Sequence, residues 1–183
     1  MKPVRLPSRI FQSKEALFMP ERSYNREKAV AYAHQWAYSR NPAYYDFSRL
    51  GGDCTNFISQ CLHAGGAPMN YTPVTGWFYN SLSSRAPAWT GVEQLYRFLT
   101  GNKGTGPYAL PCTQGDLRPG DIVQLSFREG TFGHNLLVVE VNEGPAPDLP
   151  EILVATHSDD SDYRPLDSWT GVTRRFLHIA GIR

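Results

Sequence analysis

Two hydrophobic periods divide this chain. Up to about residue 100 the apolar positions recur at helical spacing. Val30, Ala33, Trp36 and Ala37 make one stripe, flanked by Tyr32. Asn25 is placed to cap that segment and Asn41-Pro42 to stop it, which predicts a helix over 25–40. Phe57, Ile58, Cys61 and Leu62 make a second stripe, opened by Asp53 as the cap and closed by Gly65-Gly66. Thr90-Gly91-Val92-Glu93 reads as a capping box, with Thr90 the cap of a third helix running to Leu99. From Leu117 the period shortens. Runs at 122–127, 134–141, 152–157 and 176–182 read as strands, with 142–150 a Pro/Gly-rich hairpin loop. Segments 66–89 and 101–115 read as irregular. Helices followed by successive antiparallel strands predict an α+β domain.

Length and charge narrow the picture. The 183 residues suit one domain, here 23–183 behind an extended, proline-containing arm at 1–22. Lys+Arg 18 against Asp+Glu 17, with no basic run, argues against nucleic acid or an anionic membrane as partner. No segment is long and apolar enough to span a bilayer, and 1–20 lacks the apolar core of a secretion signal. The chain as it stands therefore reads as cytoplasmic; a secreted or spore-associated location would require a leader already removed. The sequence sets no oligomeric state.

Cysteine placement brings in chemistry. There are three cysteines. Cys54 and Cys61 on one helix would have Cα atoms about 10 Å apart, too far for a disulfide. No CxxC or Cys/His cluster has zinc spacing, so neither a metal nor a cofactor is expected. Cys54 falls in the first turn of the second helix, where free N–H groups and the helix dipole favour a thiolate. The plain alternative is a small core residue. Of the five histidines, His34, His63 and His178 read as surface or structural residues. His134 opens the second strand and His157 ends the third, so a hairpin would bring them to one rim. A nucleophilic cysteine needs a base, and the base a group that fixes its tautomer.

These residues carry a resemblance. Gly51-Gly52-Asp53-Cys54-Thr55-Asn56-Phe57 resembles the Asp-Cys-(Ser/Thr)-x-Phe nucleophile helix of NlpC-type cell-wall cysteine peptidases. Leu117-Arg118-Pro119-Gly120-Asp121 is similar to their turn-strand element, and Gly133-His134-Asn135 to their histidine strand. Adding 41–60, Ala155-Thr156-His157 and Pro165-Leu166, residues 24–183 resemble the family called the putative amidase domain, found in Gram-positive, often spore-forming, bacteria. The resemblance implies a papain-like, NlpC-type fold and a hydrolase acting on an amide or peptide substrate, with peptidoglycan peptides as one source. It implies Cys54 as nucleophile, His134 as general base and His157 as the group that orients it. The Cys54 N–H would be an oxyanion donor, with Asp53, Asp159 or Asp160, and Tyr45 or Tyr44, as auxiliaries. Trp77, Tyr79 and Trp89, in a Gly/Pro-containing stretch, are candidates for a substrate groove. An acyltransferase with the same chemistry, or a non-catalytic binding module on the same fold, are the competing readings.

Overall fold

The computed structural model describes residues 22–146 and 149–183. The arm expected at 1–22 lies almost wholly outside them. Its last residue, Arg22, pairs with Ile182.

Helix α1 (Arg26–Trp36) starts where expected: the Asn25 side chain accepts the Lys28 N–H at 2.9 Å. It ends four residues earlier than the stripe suggested. Helix α2 (Cys54–Ala64) ends on Gly65, and every residue from Cys54 to Leu62 is buried, not one face alone. It is the central helix, packed by α1 on one side and by the sheet on another.

The short helix α3 (Pro87–Thr90) has proline in its first turn, where a missing N–H costs nothing. It absorbs Thr90, so α4 (Val92–Gly101) begins on Gly91 with no side-chain cap. The expected capping box is therefore absent there. Glu93 instead pairs with Arg175 at 3.0 Å. A capping box does form further on, between Thr113 and Asp116 in a 3₁₀ turn.

A small hairpin of β1 (Tyr79–Ser81) and β2 (Ser84–Arg85) interrupts the irregular 66–89 segment. The main sheet holds β3 (Pro107–Cys112), β4 (Ile122–Ser126), β5 (His134–Ala146), β6 (Leu149–Thr156), β7 (Ser161–Pro165) and β8 (Thr173–Ile182). Their spatial order is β3-β8-β4-β5-β6-β7, and every described pairing is antiparallel. Two cores result. On one face Ile122, Leu137, Val139, Ala155, Leu177 and Ile179 meet the helices. On the other, Val123, Leu125, Leu136, Val138, Ile152 and Val154 pack with Leu117, Leu166 and Trp169. The turn before β4 is locked by the fully buried Asp121, which takes Arg26 at 2.7 Å, His178 at 2.9 Å and the N–H groups of Arg118 and Ile179.

Candidate functional site

The turn leading into Cys54 is built on glycine. Gly51 and Gly52 take φ +94° and +108°, a region that resists any Cβ. A Cβ on Gly52 would also sit 3.2 Å from Ser158 Oγ. That turn buries Asp53 completely. Its carboxylate caps no helix N–H, contrary to the expectation. Oδ1 instead accepts the Phe47 N–H and Asn56 Nδ2, each at 2.9 Å. Oδ2 takes His157 Nδ1 at 2.6 Å and lies 3.6 Å from Arg40 Nε. The Asp53 N–H donates to Ser158 Oγ at 2.7 Å, which ties the loop after β6 to the turn.

His157 is consumed by this clamp. Its Nε2 donates to the Trp36 carbonyl at 2.8 Å, and its ring stacks on Phe57 at 4.1 Å. Both ring nitrogens face acceptors inside the clamp. His157 does not bond His134, so the orienting contact expected between them is not formed.

Cys54 is 6% exposed at the first position of α2. Burial pushes its thiol pKa up, against the pull of N–H groups of Asn135 and Thr55 and of the Thr55 hydroxyl. Desolvation thus outweighs the helix terminus, and the resting group is a thiol. Thr55 Oγ1 lies 3.9 Å from Sγ. Neither histidine ring is hydrogen-bonded to the sulfur.

His134 is 7% exposed, with the rings of Phe127 and Trp169 at 6.3 and 6.5 Å. Burial lowers its pKa to about 4, against the opposing field of Asp159. Its Nε2 lies 3.3 Å from Thr156 Oγ1. That hydroxyl also meets two carbonyls, Asn135 at 2.8 Å and His157 at 3.0 Å. Carbonyls only accept, so Thr156 donates to one of them and accepts from His134 Nε2–H. Nδ1 is then the unprotonated nitrogen, and it has no partner among the described residues.

The remaining expectations fall variously. Asp159 pairs with Arg164 on the surface, and Asp160 with Arg40 at 2.9 Å. The Tyr45 N–H donates to the Tyr79 hydroxyl at 2.8 Å, its carbonyl accepts Asn56 Nδ2 at 3.1 Å, and its ring meets Phe47 edge-on. Tyr44 stacks on Trp89. The groove reading is corrected for two aromatics. Trp77 and Trp89 are fully buried, donating to Ser59 and Asn56 at 2.9 Å each, so they are core residues; only Tyr79 keeps an exposed edge. His34 pairs with Asp162 and stacks on Tyr163; His63 meets the Ala67 carbonyl.

All three cysteines are free. Burial raises Cys61 well above the usual thiol value and Cys112 to about 11. Brief alkylation at neutral pH is expected to mark Cys54 first and leave Cys61 unmodified; peptide mass spectrometry reads the order. No group of three metal-ligating side chains occurs among the described residues.

Asn135, Thr156, Gln124 and Arg175 also belong to this neighbourhood, and sequence reasoning did not single them out. A usable signal existed: Gln124 and Asn135 are polar residues inside strongly apolar strands, and both are fully buried.

An α+β domain with a cysteine opening its central helix beside a histidine strand is the class defined so far. A family model described as "Putative amidase domain" matches residues 23–180, and the chain belongs to that family. "Uncharacterized protein YhbB" of Bacillus subtilis (strain 168) is 39% identical over 163 residues, covering 85% of this chain and 50% of that protein. The chain thus spans about half the length of this curated relative. No solved structure matches the present chain. Among the described residues no helix is long and apolar enough to cross a membrane.

Proposed function

We propose that the chain is a cysteine-dependent amidohydrolase of papain-like, NlpC type, acting on an amide or peptide bond, with peptidoglycan peptides as the first substrates to try. The observation that carries this reading is the Cys54 thiol at the start of α2, approached by the backbone N–H of Asn135, the residue after a histidine whose Nδ1 is bare. His134 Nδ1 takes the Cys54 proton as sulfur attacks the carbonyl carbon. The tetrahedral oxyanion takes the Cys54 N–H at the first position of α2. Collapse expels the amine, which takes the proton back from His134. Water, deprotonated by His134, then attacks the thioester and releases acid and Cys54. The resting imidazole is not bonded to the thiol, and it shares strand parity with Leu136 and Val138 on the face away from the helices, so the ring must swing around the start of β5 to reach the sulfur when substrate arrives.

The orienting role falls to Thr156. His157 acts one step away, holding Asp53 and so the turn that carries Cys54. The test is turnover of a panel of amides, peptides and muropeptides by wild type and Cys54→Ala. Hydrolysis lost in Cys54→Ala and blocked by alkylation at Cys54 supports the reading; hydrolysis that survives both defeats it. Within this scheme Thr156→Val is expected to lower kcat about tenfold with KM nearly unchanged, since the ring loses its tautomer constraint but not its place. Steady-state kinetics with Thr156→Ser as the rescue variant checks this.

A further inference from the structure

Four polar side chains run in a line across the helix-facing side of the sheet to Cys54. Gln124 is the register partner of both Arg175 on β8 and Asn135 on β5, so the three stand side by side. Arg175 Nε donates to Gln124 Oε1 at 2.5 Å. Gln124 Nε2 donates to Asn135 Oδ1 at 2.6 Å and to the Val92 carbonyl at 3.2 Å. Asn135 Nδ2 donates to Thr55 Oγ1 at 2.8 Å. Thr55, Asn135 and Gln124 are buried to within 1%.

The direction of this line is forced. A guanidinium has donors only, so it fixes Gln124 Oε1 as the acceptor. The Val92 carbonyl, which only accepts, fixes the same orientation independently. Gln124 Nε2 must then donate to Asn135, and Asn135 Nδ2 to Thr55. With one lone pair of its oxygen so engaged, the Thr55 hydroxyl has, among the described residues, the Cys54 sulfur at 3.9 Å as the acceptor within reach of its own hydrogen. The head of the line is itself held fast. Arg175 lies 3.7 Å over the Tyr96 ring and 4.0 Å over Phe132, and pairs with Glu93 at 3.0 Å.

We infer that Thr55 is a catalytic hydrogen-bond donor that supports negative charge on the Cys54 sulfur, and that Arg175, through Gln124 and Asn135, is the positioning residue that turns the Thr55 hydrogen toward it. The inference rests on Cys54 being the nucleophile. Each bond in the line polarises the next, so a half-buried positive charge two strands away is felt at the sulfur. The Asn135 N–H adds a second donor to the same atom.

Two nearly isosteric changes test this. Thr55→Val removes the hydroxyl. Gln124→Glu keeps the shape but has no hydrogen to give. Asn135 must then turn its amide toward residue 124, leaving Oδ1 to accept the Thr55 hydrogen and take it off the sulfur. The measurement is the Cys54 alkylation rate against pH by peptide mass spectrometry, with a thermal melt on each variant. Thr55→Val is expected to move the profile up by about one pH unit, slowing alkylation about tenfold below the thiol pKa. Thr55→Ser should retain the wild-type profile.

Gln124→Glu should match Thr55→Val, and the double variant should be no slower than either single one, since both remove the same contact. Additive shifts would mean that the new carboxylate acts by its charge alone, and would overturn the inference. So would an unmoved profile in Thr55→Val, with Cys54 still the labelled residue and hydrolysis intact; that result leaves the nucleophile reading standing. A Cys54 that labels no faster than Cys61 at any pH removes both. A drop in melting temperature with no shift in profile would make the line a packing device only.

Discussion

Asp53→Ala is expected to destabilise the protein by about 3–5 kcal/mol, far more than loss of a helix cap would. The residue is fully buried and its two oxygens serve the Phe47 N–H, Asn56 Nδ2 and His157 Nδ1, with Arg40 close by. Truncation strands all of those donors in a site with little water, and each unpaired buried donor costs about 1–3 kcal/mol. The turn that carries Cys54 loses its anchor to β6 and to the loop before it. Denaturant unfolding of Asp53→Ala, His157→Ala and the double variant would check this. The double is expected to fall short of the sum by about 0.5–3 kcal/mol, the coupling typical of groups in one network. Additive losses would show that the 2.6 Å contact contributes nothing of its own.

How much of this was legible in the sequence depends on which forces set each element. Helix α2 was readable because its glycine stop and apolar stripe are local signals. The start of α1 was readable from Asn25 for the same reason. Strand β3 was not, because Pro107 and Pro111 argue against a strand; it pairs only with β8, and an edge position tolerates prolines that a central one would not. Strand β7 escaped because Ser161-Asp162-Tyr163-Arg164-Pro165 has no apolar run. It too is an edge, held by pairing with β6. The hairpin expected to open at Asn142 stays paired to Ala146↔Leu149 across a register shift that no local pattern announces.

The site shows the same division. The Asp53-Cys54-Thr55 turn is a local motif and could be read directly. The partnership between His134 and His157 depended on which face each takes. His134 shares parity with Leu136 and Val138, which pack away from the helices, and Thr156 shares it with Val154. His157 falls with Ala155 and turns to the helices. Strand order alone brought the two histidines to one rim, but a single residue of register decides the face. The neighbour of His134 is therefore Thr156, and His157 meets the buried Asp53.

His134→Ala is expected to lower kcat/KM roughly a hundred- to ten-thousandfold, the range for loss of a positioned general base, while Cys54→Ala leaves no acyl-enzyme at all. The pH dependence separates this role from a structural one. His134 is lowered from its ordinary 6.5 to about 4 by burial, and Cys54 is raised by burial. At neutral pH the two groups are thus a neutral imidazole and a thiol, the states the proposed proton transfer requires. Turnover should hold its plateau down to about pH 5 and fall on an acid limb near 4. The same shift acts on stability. A base whose folded pKa lies below its unfolded value binds fewer protons folded than unfolded between pH 4 and 6.5. Its contribution is complete above 6.5 and is lost as pH falls through that window, on the order of 3 kcal/mol in all. Denaturant midpoints of wild type and His134→Gln at pH 7, 5.5 and 4.5 would read the difference. His134→Gln should lose less stability on acidification, because the buried group that resists protonation is gone. Equal acid losses in the two proteins, with an activity limb near 6.5 in wild type, would place His134 in open solvent and take the base assignment away from it.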